Sequence, residues 1–263
     1  MMKFCVLSSG SKANCTYIEA GSTKLLVDCG LSARETTRRL ALIGVEAREI
    51  QAIVVSHEHS DHVTGIPNFV KRFGCRVLSN AATRENSAEL QSVPFTHFEE
   101  FSAGDPFDQG ELRIIPFSIA HDAADPVAFR VECGRSRLGI VTDLGQVTEL
   151  VRDRVRDLDA LVVESNHDLE LLQGAPYPWS LKQRIRSRFG HLSNESAGEL
   201  LVELHVPGGR PLRNVVAAHI SENSNKPELA LGALRAAWQR LDAGYLPSFE
   251  AASIYGPTSL YQI

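Results

Sequence analysis

The sequence predicts an α/β fold in which two β-sheets pack face to face between outer layers of helices, an αββα four-layer sandwich. Three observations favour this fold: short strands open the chain, strands then alternate with helices, and hairpin strands recur near the middle. With 263 residues, 43% of them apolar, and no linker or repeat, one domain spanning 1–263 is expected. The alternative is a doubly wound parallel sheet, and the hairpins argue against it.

The first half of the chain begins with the strands "KFCVL" and "TYIEA", which the loop "SSGSKAN" separates, and "TKLLVDCG" follows a turn. A helix over 32–43 is indicated by Ser32 as its N-cap, Glu35 three residues later and Gly44 after its end. Three further elements then alternate: a strand over 50–55, a helix over about 64–73 and a strand over 75–79.

The second half contains short apolar runs that are bounded by turn residues. Strands are predicted at 111–119, 126–132 and 137–142, with "GRS" as the hairpin turn between the last two. A helix near 146–156 precedes "DALVVES" and "RNVVAAHI", two runs of the kind buried between layers. The last helix, over about 227–241, has Pro227 in its first turn and an apolar stripe for the core. That stripe consists of Leu231, Leu234, Ala237, Trp238 and Leu241.

Composition and charge argue against several classes of protein. No apolar run reaches the roughly 18 residues of a membrane span, and "MMKFCVLSSGSK" lacks the features of a signal peptide. A cytoplasmic location without a membrane partner is therefore expected. The five cysteines are scattered without a Cys-x-x-Cys pair, so neither a disulfide framework nor a thiolate zinc site is predicted. The net charge of −5 gives no global attraction to nucleic acid, which only a local patch could supply.

Potential metal ligands cluster where apolar runs end. The segment "SHEHSDH" over 56–62 places four of them directly after the run Ile53, Val54 and Val55. Further acidic or imidazole side chains follow other apolar runs: Asp28, His121, Asp143, Glu164 and His219. Because loops that leave strand ends share one edge of the sheets in layered α/β proteins, we expect these side chains to converge.

One ion is predicted from the His-x-His pair in this segment. Two imidazoles that leave a strand can point at the same ion, and a third from elsewhere completes a facial set with an open position for water. His57, His59 and His121 fit this description.

A second ion is inferred because the adjacent Asp61 and His62 cannot easily reach the first one. Asp143 is the best candidate to bridge the two ions, and His219 would complete the second set. Two ions about 3.5–4 Å apart suit displacement at phosphorus or at a carbonyl carbon.

Other polar residues have more than one interpretation. Asp28 either hydrogen-bonds the histidine loop from behind the metal ligands or is only a turn residue before Cys29 and Gly30. His97 and His205 lack neighbouring ligands and are interpreted as structural or surface residues. The stretch "SSGSK" lacks the full spacing of a P-loop, so we predict a tight turn there and no nucleotide-binding loop.

In this order, "SHEHSDH", His121, Asp143 and "AHIS" resemble the motifs of the metallo-β-lactamase fold superfamily. Five further segments resemble the YycJ (WalJ) family of bacterial single-domain nucleases: "SSGSKANCTYIEAGSTKLLVDCGLS", "ESNHD", "YPWSLKQRI", "GHLSNESA" and "HISENSN". One departure is Ala13, where that family usually has glycine. The resemblance implies the αββα sandwich and the same two sets of metal ligands.

The resemblance also implies a 5′→3′ exonuclease acting on DNA with two divalent ions, zinc or manganese; the same ligands suit iron. Glu164 and His191 resemble a pair in tRNA 3′-processing relatives, in which a glutamate orients a histidine that protonates the leaving alkoxide. Both are therefore predicted catalytic residues, together with Asp61, which would orient the attacking hydroxide. The alternative for His191 is a cap on the helix that begins near Ser193.

Residues 180–189, "SLKQRIRSRF", are predicted to form a helix that Ser180 caps and Gly190 ends. Its apolar stripe toward the core is Leu181, Ile185 and Phe189. The predicted substrate-binding residues are four cations that flank the stripe without an acidic neighbour: Lys182, Arg184, Arg186 and Arg188. Beside Tyr177 and Trp179 they could hold a phosphate backbone and stack a base, the alternative being a solvated basic face.

The leading hypothesis is therefore a dinuclear metal-dependent hydrolase that cleaves phosphodiester bonds in nucleic acid, with DNA favoured over RNA. Other classes of the same fold remain open: a small-molecule metallohydrolase of cyclic phosphodiesters, thioesters or lactams, or an RNA-processing phosphodiesterase. A non-enzymatic metal-binding or nucleic-acid-binding module is disfavoured by the open coordination positions.

Overall fold

The computed structural model describes residues 1–263 and arranges the strands as two sheets of seven. In spatial order, the first sheet consists of β14 (Tyr261–Gln262), β1 (Met2–Ser8), β2 (Cys15–Ala20), β3 (Thr23–Val27), β4 (Ala52–Val54), β5 (Arg76–Ser79) and β6 (Phe98–Glu100). The second consists of β13 (Ser248–Ala251), β12 (Asn214–Ala218), β11 (Ala160–Glu164), β10 (Ser136–Val141), β9 (Val127–Cys133), β8 (Leu112–Ser118) and β7 (Phe107–Gln109).

Both sheets change from antiparallel to parallel pairing at one strand. In the first sheet β3 pairs antiparallel with β2 and parallel with β4. In the second sheet β10 pairs antiparallel with β9 and parallel with β11. Strands β3 and β10 therefore occupy equivalent positions in their sheets.

Ten α-helices connect the strands. They are α1 (Ala33–Leu42), α2 (Ser60–Val63), α3 (Ile66–Phe73), α4 (Ala81–Glu85), α5 (Ala88–Gln91), α6 (Glu149–Arg154), α7 (Leu169–Gly174), α8 (Trp179–Ile185), α9 (Asn194–Leu204) and α10 (Pro227–Gln239). Two short 3₁₀ helices, Ala47–Glu49 and Phe95–His97, complete the set.

Three groups of buried side chains separate four layers. Between the sheets, Val27 and Val54 of the first sheet pack with Phe129 and Val162 of the second. Alternate residues such as Leu26 face outward, toward α1 and α3, because successive side chains of a strand point to opposite faces. The outer face of the second sheet is covered by α9 and α10 in the same way. The predicted αββα sandwich is confirmed, and the doubly wound alternative is wrong.

Most predicted elements of the first half are present with narrower bounds. Ser32 caps α1, since its hydroxyl accepts a hydrogen bond from the amide of Glu35 at 3.3 Å. The helix expected over 64–73 is instead two helices, α2 and α3. Asp61 and His62 therefore lie in the helical turn α2 and not in a loop.

The basic segment of the second half departs most from expectation. Helix α8 follows an N-cap at Pro178, not Ser180, and it contains no buried residue. Phe189, expected in the core, lies beyond the helix and is 44% exposed. The chain turns back after α8, and a Cβ on Gly190 would stand 2.2 Å from the carbonyl oxygen of Ile185. This close approach requires glycine at position 190.

Candidate metal centre

Three predicted site residues lie within two residues of the end of a strand and share an uncommon backbone conformation. Asp28 follows β3, Asp143 is the second residue after β10, and His219 follows β12, with φ angles of 59°, 57° and 52°. Asp157 is the one other non-glycine residue with positive φ. Left-handed backbone is rare outside glycine and is concentrated at functional sites. The conformation therefore indicates a functional site at this edge of the two sheets.

His57, His59 and His121 form a first cluster in which ring nitrogens face one another. His59 Nδ1 lies 3.1 Å from His57 Nε2 and 3.3 Å from His121 Nε2. The outer nitrogens are held elsewhere: His57 Nδ1 is 3.0 Å from Ser56 Oγ, and His121 Nδ1 donates to the Gly190 carbonyl at 3.2 Å. Burial lowers the pKa of His57 and of His121, which favours neutral rings with a free lone pair.

Asp61, His62 and His219 form a second cluster. Asp61 Oδ2 lies 3.4 Å from His62 Nε2 and 3.6 Å from His219 Nε2. From the loop between β1 and β2, Asn14 Nδ2 donates to Asp61 Oδ2 at 2.9 Å and lies 3.0 Å from His62 Nε2. The amide thus positions both α2 residues.

Asp143 lies between the two clusters. Its Oδ2 is 3.2 Å from His62 Nε2, and its Oδ1 is 3.3 Å from His219 Nε2 and 3.8 Å from His121 Nε2. Burial alone would raise the pKa of Asp143, but the imidazoles of His219 and His62 hold that pKa well below its ordinary value. An ionised carboxylate in this place faces both clusters.

The donor set fits divalent cations. Within each cluster the ligand atoms lie within 4.8 Å of one another. Asp143 Oδ2 and His219 Nε2 are buried but make no hydrogen bond. Because unpaired buried polar atoms are costly, a cation between them would satisfy both. Imidazole nitrogen and carboxylate oxygen are ligands that zinc, manganese and iron all accept.

Asp28 hydrogen-bonds the histidine segment from behind the ligands, which is the first of the two interpretations given above. It is also a turn residue, as the second interpretation has it. Its Oδ2 lies 2.8 Å from His62 Nδ1 and accepts from Ser56 Oγ at 2.9 Å, and its Oδ1 accepts from the Ser56 amide at 2.8 Å. With Nδ1 engaged, His62 presents Nε2 to the second cluster. The neighbouring turn needs Gly30, where a Cβ would stand 1.7 Å from the Asp61 carbonyl oxygen.

The loop "SSGSKAN" joins β1 to β2 as the predicted tight turn, and it contacts the second cluster. Ser9 Oγ accepts from the His219 amide at 2.8 Å, and the Asn14 amide donates to the Asp61 carbonyl at 2.7 Å. Ala13, the departure from the family pattern, is buried and has no left-handed φ, whereas Gly10 has a φ of 140°. Alanine is therefore tolerated at position 13.

Glu164 and His191 form a hydrogen-bonded pair beside the second cluster. The fully buried Glu164 lies with Oε1 2.8 Å from His191 Nδ1 and 3.1 Å from His219 Nδ1. Its Oε2 accepts from the amides of Leu144 and Leu192 at 2.8 and 3.1 Å. Burial alone would raise the pKa of Glu164, but His191 and His219 lower it to about 2. In turn Glu164 raises the pKa of His191, against the effect of burial.

The pair also belongs to a group, with Asp143 and His219, whose ligand atoms lie within 4.8 Å. Since the amides of Leu144 and Leu192 occupy one oxygen of Glu164, the pair is better suited to holding a proton on His191 than to holding an ion. The alternative in which His191 caps α9 is wrong, because Ser193 accepts from the amide of Ser196 there.

Three polar side chains of the site were not predicted from the sequence: Asn14, Ser56 and Asn166. Asn166 Nδ2 donates to the His219 carbonyl at 2.8 Å and lies 3.2 Å from its Nδ1. The available signal is proximity in sequence, since Ser56 directly precedes the histidine segment and Asn166 follows Glu164 by two residues.

The four predicted cations differ in their hydrogen-bond partners. Arg184 Nε donates to Asp122 at 2.6 Å, so the expectation of a helix without an acidic partner is wrong for this residue. The partner was missed because it lies 62 residues away in sequence. Lys182 Nζ donates to the Gln173 carbonyl at 2.6 Å.

The cations also face different cavities. Arg184 lines a cavity of about 220 Å³ together with His191. Lys182 and Arg186 line another, of about 440 Å³, with the exposed Trp179. Arg188 instead stacks over the ring of Phe189, 4.6 Å from its centroid.

His97 and His205 lie away from both clusters, as predicted. His97 ends the 3₁₀ helix Phe95–His97, and His205 packs edge-on against Trp238 with 5.6 Å between ring centroids. Neither belongs to a group of potential metal ligands.

Two face-to-face mixed sheets with histidine and aspartate at one edge define the class of metallo-β-lactamase-fold proteins. Residues 23–220 match the family described as β-lactamase superfamily domain. Among solved structures, the metallo-β-lactamase fold protein YhfI from Bacillus subtilis has a TM-score of 0.73 and 16% identity, covering 98% of this chain and all of YhfI. The short form of human tRNase Z has a TM-score of 0.66 and 15% identity, with full coverage of both chains. These two similarities concern the fold alone.

Two curated relatives are similar over most of their length. Exodeoxyribonuclease WalJ of Streptococcus pneumoniae is 35% identical over 231 residues, which cover 87% of this chain and 85% of WalJ. Exodeoxyribonuclease YycJ of Bacillus anthracis is 33% identical over 230 residues, which cover 87% of this chain and 86% of YycJ. The chain belongs to the β-lactamase superfamily and, within it, to the WalJ/YycJ family.

None of the helices has the length and apolar character that crossing a membrane requires.

Proposed function

We propose that this chain is a metal-dependent exodeoxyribonuclease that degrades DNA in the 5′→3′ direction, as one domain spanning 1–263. The observation that carries the proposal is the hydrogen-bonded pair of Glu164 and His191 directly beside the two ligand clusters. Such a pair can protonate the poor alkoxide leaving group of a phosphodiester. The names of the relatives WalJ and YycJ support DNA as the substrate.

Two divalent cations are proposed to bind at this edge, zinc or manganese, with iron compatible with the same donors. His57, His59 and His121 would hold the first, and Asp61, His62 and His219 the second, with Asp143 shared between them. When bound, such ions supply activation of the attacking water and stabilisation of the charge that develops on phosphoryl oxygens.

His191 is the proposed general acid. Its Nδ1 is held by Glu164, and its ring is 22% exposed, so Nε2 can donate to the leaving oxygen. As the bond between phosphorus and O3′ breaks, the water oxygen bonds to phosphorus and the proton of His191 passes to O3′. The proton lost by the water passes to solvent, from which His191 is reprotonated. A positioned donor of this kind contributes about 10²–10⁴ in rate.

Asp61 is proposed to orient the attacking water as well as to bind the second ion. Burial alone would raise its pKa, but His62 and His219 hold the pKa of Asp61 well below its ordinary value. The carboxylate is therefore ionised and would accept a hydrogen bond from the attacking water.

The proposed DNA-binding residues are the cations on and after α8: Lys182, Arg184, Arg186 and Arg188. Because the net charge of the chain is −5, the chain as a whole does not attract DNA, and these cations supply positive charge locally. Trp179, 66% exposed beside Lys182 and Arg186, offers a face on which a base can stack.

The test is cleavage by the purified protein loaded with zinc or manganese. Single-stranded and double-stranded DNA, RNA and a small phosphodiester are each offered to the wild type and to Asp61→Ala. We expect metal-dependent release of nucleotides from DNA, lost in Asp61→Ala. Turnover of the small ester without cleavage of nucleic acid would contradict the proposal, and faster cleavage of RNA would reassign the substrate.

A further inference from the structure

A small cavity lies between the proposed general acid and the basic helix. Its volume is about 220 Å³, and its walls include His191, Arg184 and Tyr177. Pockets that enclose drug-sized ligands have about 300–1,000 Å³. The cavity therefore has room for about one nucleotide of a DNA strand.

The position of His191 determines which fragment of the substrate enters. A general acid must lie within hydrogen-bond reach of the leaving oxygen, so the fragment that carries this oxygen lies on the side of the acid. Because His191 lines the cavity, the leaving fragment occupies it. Because the cavity takes one nucleotide, the leaving fragment is the terminal nucleotide of the strand.

Arg184 indicates which end of the strand this is. Asp122 holds its guanidinium through Nε and Nη2, and the side chain is still 64% exposed. Nη1 and the outer hydrogen of Nη2 therefore remain available to an anion. A terminal nucleotide whose O3′ leaves carries a phosphate at its other end when the DNA is 5′-phosphorylated. A nucleotide at a free 3′-hydroxyl end carries no such anion.

The remaining wall of the cavity fits the base. Tyr177 offers an aromatic face, with Leu181 and Ile185 beside it. The hydroxyl of Tyr177 accepts from Asn223 Nδ2 at 2.8 Å, which ties this wall to the loop after β12.

We propose that this cavity is the subsite for the 5′-terminal nucleotide, with Arg184 binding its 5′-phosphate, Tyr177 stacking on its base, and Asp122 acting as the positioning residue of Arg184. The inference rests on the proposed function and goes beyond it, because it makes the enzyme selective for 5′-phosphorylated ends.

The test compares two single-stranded oligonucleotides of one sequence, one with a 5′-phosphate and one with a 5′-hydroxyl, cleaved by the manganese-loaded protein. We expect kcat/KM to be about 10- to 100-fold higher for the phosphorylated end, the effect of one charge-assisted hydrogen-bonding group. Arg184→Gln should bring this ratio near one. The double variant Asp122→Asn with Arg184→Gln should give the same ratio, which excludes an effect of the unpaired carboxylate.

Arg113→Gln is the matched control, because Arg113 is exposed near the start of β8, at the opposite end of the strand that leads to His121. It should leave the ratio unchanged. Equal rates for the two ends in the wild type, or an equal loss on both ends in Arg184→Gln, would overturn the assignment.

Binding of deoxyadenosine 5′-monophosphate, measured by calorimetry against deoxyadenosine, separates this inference from the proposed function. Tighter binding of the monophosphate that is lost in Arg184→Gln supports the subsite even if no DNA is cleaved, in which case the nuclease proposal fails alone. DNA cleavage without any dependence on Arg184 in either assay would remove the subsite and leave the nuclease proposal standing.

Discussion

The turns after β3 and β10 have the same place in their sheets and the same backbone, but their aspartates have different surroundings. Asp28 and Asp143 both have φ near 60°. Asp28 is surrounded by partners, namely both donors of Ser56 and Nδ1 of His62. Asp143 lies among the ring nitrogens of both clusters, and its Oδ2 makes no hydrogen bond.

This comparison shows that the topology places the two aspartates at the edge but does not determine their function. The topology brings a carboxylate to the edge after each of the two strands at which pairing changes direction. The neighbouring atoms then decide whether the carboxylate positions a ligand or serves as one. We therefore assign Asp28 to support and Asp143 to the proposed metal centre.

The largest expected effect is that of Asp143→Asn, which keeps the shape of the side chain and removes its charge. Cleavage should fall below detection and bound metal should decrease by elemental analysis, because both clusters lose the anion between them. Asp159→Asn is the matched control, since Asp159 precedes β11 at the opposite edge of the same sheet and pairs with Arg210. Full metal content and activity in Asp143→Asn would contradict its assignment as the shared ligand.

His191→Gln tests whether His191 protonates the leaving oxygen. We expect kcat to fall about 10²–10⁴-fold, because the leaving oxygen loses its proton donor. Metal content should stay at the wild-type level, since His191 belongs to neither proposed ligand set. His205→Gln serves as the control for removal of an imidazole. Loss of an ion in His191→Gln would reassign this residue as a ligand.

Asp28→Asn makes the same chemical change in the other turn and should have a smaller effect. Metal affinity should fall about 10- to 100-fold, the usual result of removing a group that orients a ligand. At saturating metal, kcat should approach the wild-type value. Asp157→Asn controls for the backbone, because Asp157 has a φ of 55° and an exposed side chain. An effect on kcat as large as that of Asp143→Asn would remove the distinction between the two turns.

Removal of metal by a chelator should lower the melting temperature, because the proposed ligands of each ion follow strands of both sheets. At an ion concentration 100 times Kd the expected shift is about 5–10 °C for each bound ion by differential scanning calorimetry. Asp143→Asn should respond less to the chelator than the wild type does. An equal response in both proteins would indicate that the ions bind elsewhere.

Much of the site could be predicted because its residues leave a signal in the sequence. "SHEHSDH" is dense within seven residues, and Asp143 and His219 directly mark the ends of apolar runs. Helix α8 could not be predicted in the same way. Its apparent apolar stripe is not buried, since the helix ends at Ile185 and Phe189 lies beyond it, 44% exposed, which periodicity does not encode.

The hydrogen bonds around the ligands also could not be predicted from the sequence. The contacts of Asn14 with Asp61, of Asn166 with His219 and of Asp122 with Arg184 join segments 47, 53 and 62 residues apart. Each depends on how the two sheets stack, and no local pattern specifies that stacking. Topology indicates which residues reach the edge, but it does not indicate which atoms meet there.

The order of the ligands along the chain also determines when each ligand cluster can form during synthesis. The first cluster is contained in residues 57–121, whereas the second spans 61–219. Because a chain emerges from its N-terminus, the three histidines of the first cluster are available about a hundred residues before His219 is made. An unfinished chain therefore holds half of the centre at most, and the complete pair of clusters forms only after both sheets have been translated and have packed together.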